Sequence, residues 1–446
     1  MRGELVVVGA GPAGLAAAVR LAEAGQQVRV IARGNGFTHW GAGAVDVLGC
    51  LGLGAGDKGE AEPVEQPLEA VGRLPERHPY RLLGVEAIRD GLDWFRRFAA
   101  AAGLEHAGDP ERNQRQVTAF GTFRMTCLLP LPAAGAAALT EGASVAVLGF
   151  AGFRDFSASL CALGLRRAGI EAQADTVALP PWSHQRSFTA IELAQAIDDE
   201  NFRRQLAPRI AAAAASAGAG AGAAVAVVPA VLGRHQGHAP WADLEQRTGL
   251  RLIEAALPPP SIPGLRLFDA YRARLRQLGV RWQFGFPAIG VERDGDGDRV
   301  TAVRSEGASR VIATRCRELV LATGGVAGHG IEAHRDGSLA EMVAGLPVAG
   351  FQHRMDFLAE RFLDAHPLGA AGIQVDEDLR PLHTTEPGTP VYENVRCVGG
   401  LLAEHDPTVE GSREGVALAC AARLAEVLAP APTTPAPTAT STSSGG

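Results

Sequence analysis

The stretch "ELVVVGAGPAGLAAAVRLAEAGQQVRVIARG", residues 4–34, decides the fold. Leu5 to Val8 form a continuous apolar run, as a parallel strand buried on both faces requires. Gly9, Gly11 and Gly14 follow in GxGxxG spacing. Leu15, Val19 and Ala22 then mark the buried side of an Ala-rich helix, which Gly25 stops. "VRVIA" is the second strand. This strand–turn–helix–strand order is the setting in which the glycine spacing signals a dinucleotide site. Gly9 permits the tight turn, Gly11 lets a pyrophosphate approach the backbone, and Gly14 lets the helix pack close to the strand. The helix N-terminus that follows the turn offers free N–H groups and about half a positive charge to a phosphate.

Working outward, the pattern breaks at the end of the second strand. A dinucleotide fingerprint usually closes there with a carboxylate that bonds the adenosine ribose. By spacing that position is Ala32, and its neighbour Arg33 has no acceptor. A charged hydrogen bond of that kind contributes roughly 1.5–3 kcal/mol. Three readings of Arg33 stay open: a cation for a nucleotide phosphate, a sign that the adenosine half is held differently or absent, or a solvated surface charge.

Two later glycine turns bear on the choice. "LVLATGG" (319–325) is a strand entering Thr323, Gly324 and Gly325. "VRCVGGLLAEHDPTVEGSREGVALA" (395–419) joins a strand, Gly399, Gly400, Asp406 and a helix starting near Gly411–Gly415. A nicotinamide cofactor does not need these turns. A flavin does, because its ring lies against backbone, with a helix N-terminus facing the end that becomes negative on reduction.

The totals fit such a protein. A chain of 446 residues suits two or three lobes. Hydrophobic residues at 46% and charged residues at 20% describe a mostly globular chain. A net charge of −7 argues against a nucleic-acid binder. The six cysteines, Cys50, Cys127, Cys161, Cys316, Cys397 and Cys420, form no CxxC and no metal-spaced cluster. They read as reduced thiols of a cytoplasmic protein, with no metal site. The N-terminal stretch does not read as a signal peptide, because its short apolar run passes straight into the glycine turn. The uncharged run 210–233 is mostly Ala and Gly, with a proline, and reads as a helix end, a loop and a strand (224–228) rather than a membrane span. Contact with a membrane is therefore expected only through a partner.

Elsewhere, 54–75 is rich in Gly, Pro and Glu and reads as a surface loop. The pattern from Tyr80 to Leu104 is helical, with Ile88, Leu92, Phe95 and Phe98 on one side. Strands at 145–149 and 224–228 head two further strand–helix units. "AIGVERDGDGDRVTAVRSEG" (288–307) is a hairpin. The Pro/Thr/Ser tail after Ala429 is expected to be disordered.

The "ATGG" strand end and the closing "GG…D…G…G…A" helix resemble the glutathione-reductase-like flavoproteins, including the fumarate reductase and succinate dehydrogenase flavoprotein subunits. "ARGNGFTHWGAGAVD" (32–46) is similar to the loop that wraps the flavin in those proteins, through Arg33, Thr38, His39, Gly41 and Gly43. A set of further stretches, in order along the chain, resembles the B-subunit family of anaerobic glycerol-3-phosphate dehydrogenases. They are "RGNGFTHWGAGAVDVLG" (33–49), "HPYRLLG" (78–84), "TAFGTFRMT" (118–126), "GFAGFRDF" (149–156), "LPPPSIPGLRL" (257–267) and "GGLLAEHDPTVEG" (399–411). That resemblance implies a flavoprotein acting with a second flavin subunit and an iron–sulfur membrane-anchor subunit. The implied reaction is oxidation of sn-glycerol 3-phosphate to dihydroxyacetone phosphate, with electrons passed toward quinone. It leaves FAD and FMN both open as the flavin.

The expected fold is α/β: a Rossmann-like FAD/NAD(P)-binding three-layer flavin domain with an inserted α/β second domain. The flavin domain is expected at 1–75, 260–330 and 390–428. The second domain is expected at 76–259 with a contribution from 331–389, and the tail covers 429–446. The cofactor residues expected are Gly9, Gly11, Pro12, Ala13, Gly14, Arg33, Thr38, His39, Gly41, Gly43, Thr323, Gly324, Gly325, Gly399, Gly400, Asp406 and Gly415.

Oxidising a secondary alcohol with a flavin needs a base for the hydroxyl proton and cations for the phosphate. Histidine suits the base. Candidates are His39, His184, His329 and His405, with His39 and His405 placed in the glycine loops. Taken singly, each reads first as an ordinary surface or hydrogen-bonded core histidine. Arg124, Arg154 and Arg186 are the candidates for phosphate, since arginine forks onto phosphate oxygens. Singly, each also reads as a surface or salt-bridge arginine. Two other functions fit the same residues: a stand-alone fumarate-reductase-like oxidoreductase of another substrate, and a non-catalytic electron-transfer subunit. The catalytic site of the complex could also lie on the partner subunit.

Overall fold

The computed structural model describes residues 3–52, 62–180, 187–218, 224–349, 357–362, 364–386 and 388–429. Leu5–Val8 is the central strand of a five-stranded parallel sheet. The order is Arg281–Phe284, Val28–Ala32, Leu5–Val8, Glu318–Leu321, Val395–Cys397. Leu5 pairs with Val28 on one side and Glu318 on the other. Its run is buried on both faces, which explains why it does not alternate.

Helix Pro12–Glu23 packs against the closing helix Arg413–Val427 on this sheet. An antiparallel three-stranded meander, Ala288–Arg293, Val300–Glu306 and Val311–Arg315, sends Val300 and Val303 into the same core. Helices, parallel sheet and meander make the three layers of the flavin fold.

The expected helix at 80–104 is two helices. Gly84, at φ +80°, separates Pro79–Leu83 from Val85–Ala101. The stripe Ile88, Leu92, Phe95 and Phe98 is buried as read, and each such side chain contributes roughly 1.5–3 kcal/mol. Its core, however, is that of the five-stranded sheet rather than of the second unit. The reason is Gly91, where a Cβ would lie 2.7 Å from the Leu418 backbone, so the two helices meet almost backbone to backbone. Residues 331–389 also differ from the expected second-domain assignment. Ile331, Val343, Leu346, Ile373, Val375 and Leu379 all pack into the first core.

The expected surface loop 54–75 is also more structured where described. It holds a short helix, Pro67–Ala70, and buries Val64, Leu68, Val71 and Leu74. Asn113 fastens it, donating through Nδ2 to the Val64 and Leu48 carbonyls. The tail and His184 lie outside the described residues.

The second sheet is parallel, ordered Glu171–Val177, Ser144–Phe150, Val225–Pro229, Arg251–Ala255, and has its own core. The chain returns from it through helix Ile262–Gln277. A buried ion pair, Arg266 Nη1 to Glu254 Oε2 at 3.1 Å, ties this helix to the last strand of the second sheet. At Gly264 the same helix meets the 38–41 turn so closely that a Cβ would lie 2.3 Å from the Gly41 carbonyl oxygen. Among the described residues no helix is long and apolar enough to cross a membrane. Nor does any group of three or more His, Cys, Asp or Glu side chains there have the geometry to hold a metal ion.

Candidate flavin site

Four glycine turns, far apart in sequence, meet at the carboxyl end of the parallel sheet. Gly9 takes φ +119°, and a Cβ there would lie 2.2 Å from the Ala322 carbonyl oxygen. On Gly14 it would lie 2.2 Å from the Gly9 carbonyl oxygen, as close helix–strand packing requires. Gly36 takes φ +67°, and a Cβ there would lie 2.5 Å from the Gly11 amide nitrogen. A Cβ on Gly325 would lie 2.6 Å from the Gly400 carbonyl oxygen, and one on Gly399 2.5 Å from the Ala13 Cβ. A Cβ on Gly324 would come within 3.2 Å of the Gly328 Cα, and one on Gly43 within 2.8 Å of the Pro263 Cβ. Side chains at these positions would keep the turns from packing this closely.

Gly11, Gly41 and Gly400 differ. The nearest atom to a Cβ on each would be 4.0, 3.6 and 3.7 Å away, so their faces are open. Gly11 is also the cap of helix Pro12–Glu23, and no side chain fills that helix end. Two hydroxyls at these turns, Thr38 Oγ1 and Thr323 Oγ1, are shielded from solvent and find no hydrogen-bond partner in the protein. Buried polar groups rarely go unpaired. Open backbone faces, an uncapped helix N-terminus and unpaired hydroxyls together suit a phosphate-bearing flavin. Thr38→Val should therefore have opposite effects on the two forms of the protein. It removes an unsatisfied buried hydroxyl, so the flavin-free protein should melt at the same or a higher temperature. FAD affinity, read by quenching of flavin fluorescence, should fall roughly tenfold.

No acid stands at the end of the second strand. Ala32 is buried, and its carbonyl accepts N–H bonds from Gly285 at 2.9 Å and Phe286 at 3.2 Å. Arg33 is exposed beside it.

The remaining expected residues separate by what their polar atoms already do. His39 sits on the 37–39 turn, half-buried, with Nδ1 donating to the Gly36 carbonyl at 2.9 Å. His329 is exposed in the turn after Gly325. His405 is buried, with Nδ1 3.4 Å from the Leu402 carbonyl and Nε2 unpaired. Burial pushes its pKa down to about 4, so the ring is neutral. Asp406 is occupied by its own turn, its Oδ1 accepting from Thr408 N and Val409 N. Gly415 is a packing glycine: its N–H donates to the Asp46 carbonyl at 2.8 Å, and a Cβ would lie 2.1 Å from the Tyr80 hydroxyl. Arg124 spends its fork on Asp46 Oδ2 and Gln116 Oε1, both at 2.7 Å. Arg154 is exposed on the loop after strand Ser144–Phe150, and Arg186 lies outside the described residues.

Three residues that sequence reasoning missed are gathered here. Asp46 is buried, with Oδ2 on Arg124 and Oδ1 unpaired. Arg413 opens the closing helix, its guanidinium carbon 3.7 Å from the Phe37 ring centroid, and donates to Thr408 Oγ1. Glu414, next to it, is half-buried with an unpaired Oε2. Burial, and then the Asp46 carboxylate, push Glu414 up from 4.5 to about 7. A carboxyl raised on folding favours the folded state at low pH. That contribution is full below about 4.5 and is lost as pH rises through about 7. Flavin-free Glu414→Gln should match the wild type near pH 4 and exceed it in urea resistance near pH 8. The "SREG" motif would have drawn attention to these residues only with Asp46 known to stand beside it.

Beneath them lies a closed polar network. His78 Nδ1 accepts from Tyr80 N, so its Nε2–H donates to Glu410 Oε2 at 3.2 Å. Glu410 also accepts from Ser412 Oγ and Asp406 N. Burial works to raise its carboxyl, but the His78 bond and the two nearby imidazoles more than offset this and hold it below its ordinary value.

A family model described as FAD binding domain matches residues 4–416. The probable B subunit of anaerobic glycerol-3-phosphate dehydrogenase from Halobacterium salinarum is 30% identical over 427 residues, covering 93% of this chain and 95% of that protein. The B subunit of anaerobic glycerol-3-phosphate dehydrogenase from Yersinia pestis is 29% identical over 436 residues, covering 96% and 98%. Among solved structures, 3-ketosteroid delta1-dehydrogenase from Sterolibacterium denitrificans aligns over 96% of this chain and 99% of its own, at a TM-score of 0.43 and 11% identity.

Proposed function

From the premise that the chain belongs to the FAD-binding-domain family and, within it, to the B-subunit family of anaerobic glycerol-3-phosphate dehydrogenases, we propose that it takes part in oxidising sn-glycerol 3-phosphate to dihydroxyacetone phosphate. It does so as a flavoprotein subunit. Electrons pass toward quinone through a second flavin subunit and an iron–sulfur membrane-anchor subunit, with this chain on the cytoplasmic side. The observation that carries the reading is similarity to the B subunits over nearly the full length of both chains.

The residues support the proposal in parts. The uncapped helix start at Gly11–Gly14 would hold the pyrophosphate. Thr38, Thr323 and the open faces of Gly41 and Gly400 would hold the flavin. Bound flavin supplies a two-electron acceptor. With Arg124 committed to Asp46 and Gln116, Arg413 would be the cation that meets a substrate phosphate. The aromatic face of Phe37 beneath it holds the guanidinium in place.

The test is dye reduction dependent on glycerol 3-phosphate, measured on this protein alone and assembled with its partner subunits. Activity in the assembled form is expected. No turnover with the partners present would overturn the proposal. Releasing and identifying the flavin should yield FAD.

A further inference from the structure

We propose that the Asp46–Glu414 carboxyl pair is the proton acceptor of this site, with Glu414 taking the proton that leaves the substrate's secondary hydroxyl. The substrate half of this inference rests on the reading of the preceding section.

The pair is built from two ends of the chain. Asp46 lies in the glycine segment that follows Thr38, and Glu414 lies in the first turn of the closing helix. The bond from Gly415 N–H to the Asp46 carbonyl, 2.8 Å, joins the two elements at this point. Asp46 is more than nine-tenths buried. Its Oδ2 receives Arg124 Nη1 at 2.7 Å, while Oδ1 has no partner. Glu414 leaves Oε2 shielded and unpaired. Two sheltered carboxyl oxygens therefore wait for a donor, and the helix start that carries Glu414 meets the Thr38 turn where Arg413 lies 3.7 Å over the Phe37 ring centroid.

The pair is also asymmetric. Arg124 grips Asp46 directly and reaches Glu414 only through space. One proton shared between two neighbouring carboxyls thus resides on Glu414. The other groups facing it are Arg413 on its own helix and the Tyr80 and Tyr271 hydroxyls. Burial holds both of these tyrosines above their ordinary values, and they stay neutral. A base serves best when its pKa lies near the working pH, and Glu414 at about 7 meets that condition. His405, pushed down to about 4, does not.

The step balances as an alcohol oxidation. The O–H bond breaks and its proton goes to the Glu414 carboxylate. The C2–H bond breaks and its hydrogen leaves with the bonding pair to the oxidised flavin, the co-reactant. The carbon–oxygen double bond forms.

Two measurements test this, one without substrate. Infrared difference titration of the flavin-loaded wild type from about pH 5 to about pH 9 should show a buried carboxyl losing its proton near 7. Glu414→Gln should abolish that band, and its absence from the wild type would overturn the proposal even if the variant failed to load flavin. In the assembled complex, kcat/KM should fall on the acid side with a midpoint near 7. Glu414→Gln should remove this limb and lower kcat by about 10²–10⁴-fold, with partial rescue by Glu414→Asp. An unchanged limb in Glu414→Gln would overturn the proposal. A carboxyl titrating near 7 in a complex that turns over no glycerol 3-phosphate would uphold Glu414 as the proton-holding group and overturn the substrate reading instead.

Discussion

Gly11→Ala should fold normally but hold flavin more weakly, whereas Gly9→Ala should be strongly destabilised even without flavin. The two glycines stand two residues apart in one motif, and their surroundings set the difference. A methyl on Gly11 meets nothing closer than the Phe37 amide at 4.0 Å, and its φ of −79° suits any residue. The cost to the flavin-free fold is at most about 1 kcal/mol, the usual loss for alanine at a helix cap. The same methyl occupies the face a pyrophosphate must approach, so FAD affinity should drop by about tenfold to a hundredfold. At Gly9 the methyl would lie 2.2 Å from the Ala322 carbonyl oxygen, on a backbone at φ +119°. Strain and overlap together cost about 3 kcal/mol or more. Thermal melts of flavin-free protein and fluorescence titration with FAD separate the two cases. Equal destabilisation by both variants would refute the distinction between ligand-facing and packing glycines.

Arg266→Met should destabilise the chain by about 3–5 kcal/mol, the cost of leaving a buried carboxylate without its cation. Arg266 and Glu254 are almost fully buried. Arg266 also donates to the Gly233 carbonyl, and Glu254 accepts from Leu232 N. Replacing both, as Arg266→Met with Glu254→Leu, should recover part of the loss, because the buried charge is removed while the Leu232 N–H and the Gly233 carbonyl still lose these partners. Denaturation in urea measures both variants. The change should also reach the flavin site. Gly264, two residues from Arg266, is pressed against the Gly41 carbonyl, so loosening this helix frees the turn that carries Thr38. Flavin content should therefore fall in the single variant and return in part in the double. If it stayed full in a destabilised Arg266→Met protein, the helix would not be what holds that turn.

The parts of this protein legible in its sequence are those that adjacent residues specify. Leu5–Val8, the GxGxxG turn, the Ala-rich helix and the 288–307 hairpin each carry their own periodicity and turn chemistry. The stripe at Ile88, Leu92, Phe95 and Phe98 was equally plain as a buried face. Its partner was not, because nothing in residues 85–101 states that Gly91 will meet Leu418. Residues 331–389 are similar. Short strands and turns show burial without showing which of two cores receives it.

The site divides in the same way. Sequence alone determined that the chain has a dinucleotide-type turn, lacks the acid at Ala32, and carries two further glycine loops suited to a flavin, since strand, turn and helix signals are local. Only the tertiary structure decided which glycines keep an open face and which are crowded by neighbouring atoms, and that Arg124 is already committed to Asp46. Only it could bring Asp46 and Glu414, from opposite ends of the chain, into one buried pair. A proton-holding carboxyl is made by burial and by a neighbouring charge, and both are properties of the folded chain rather than of any stretch of its sequence.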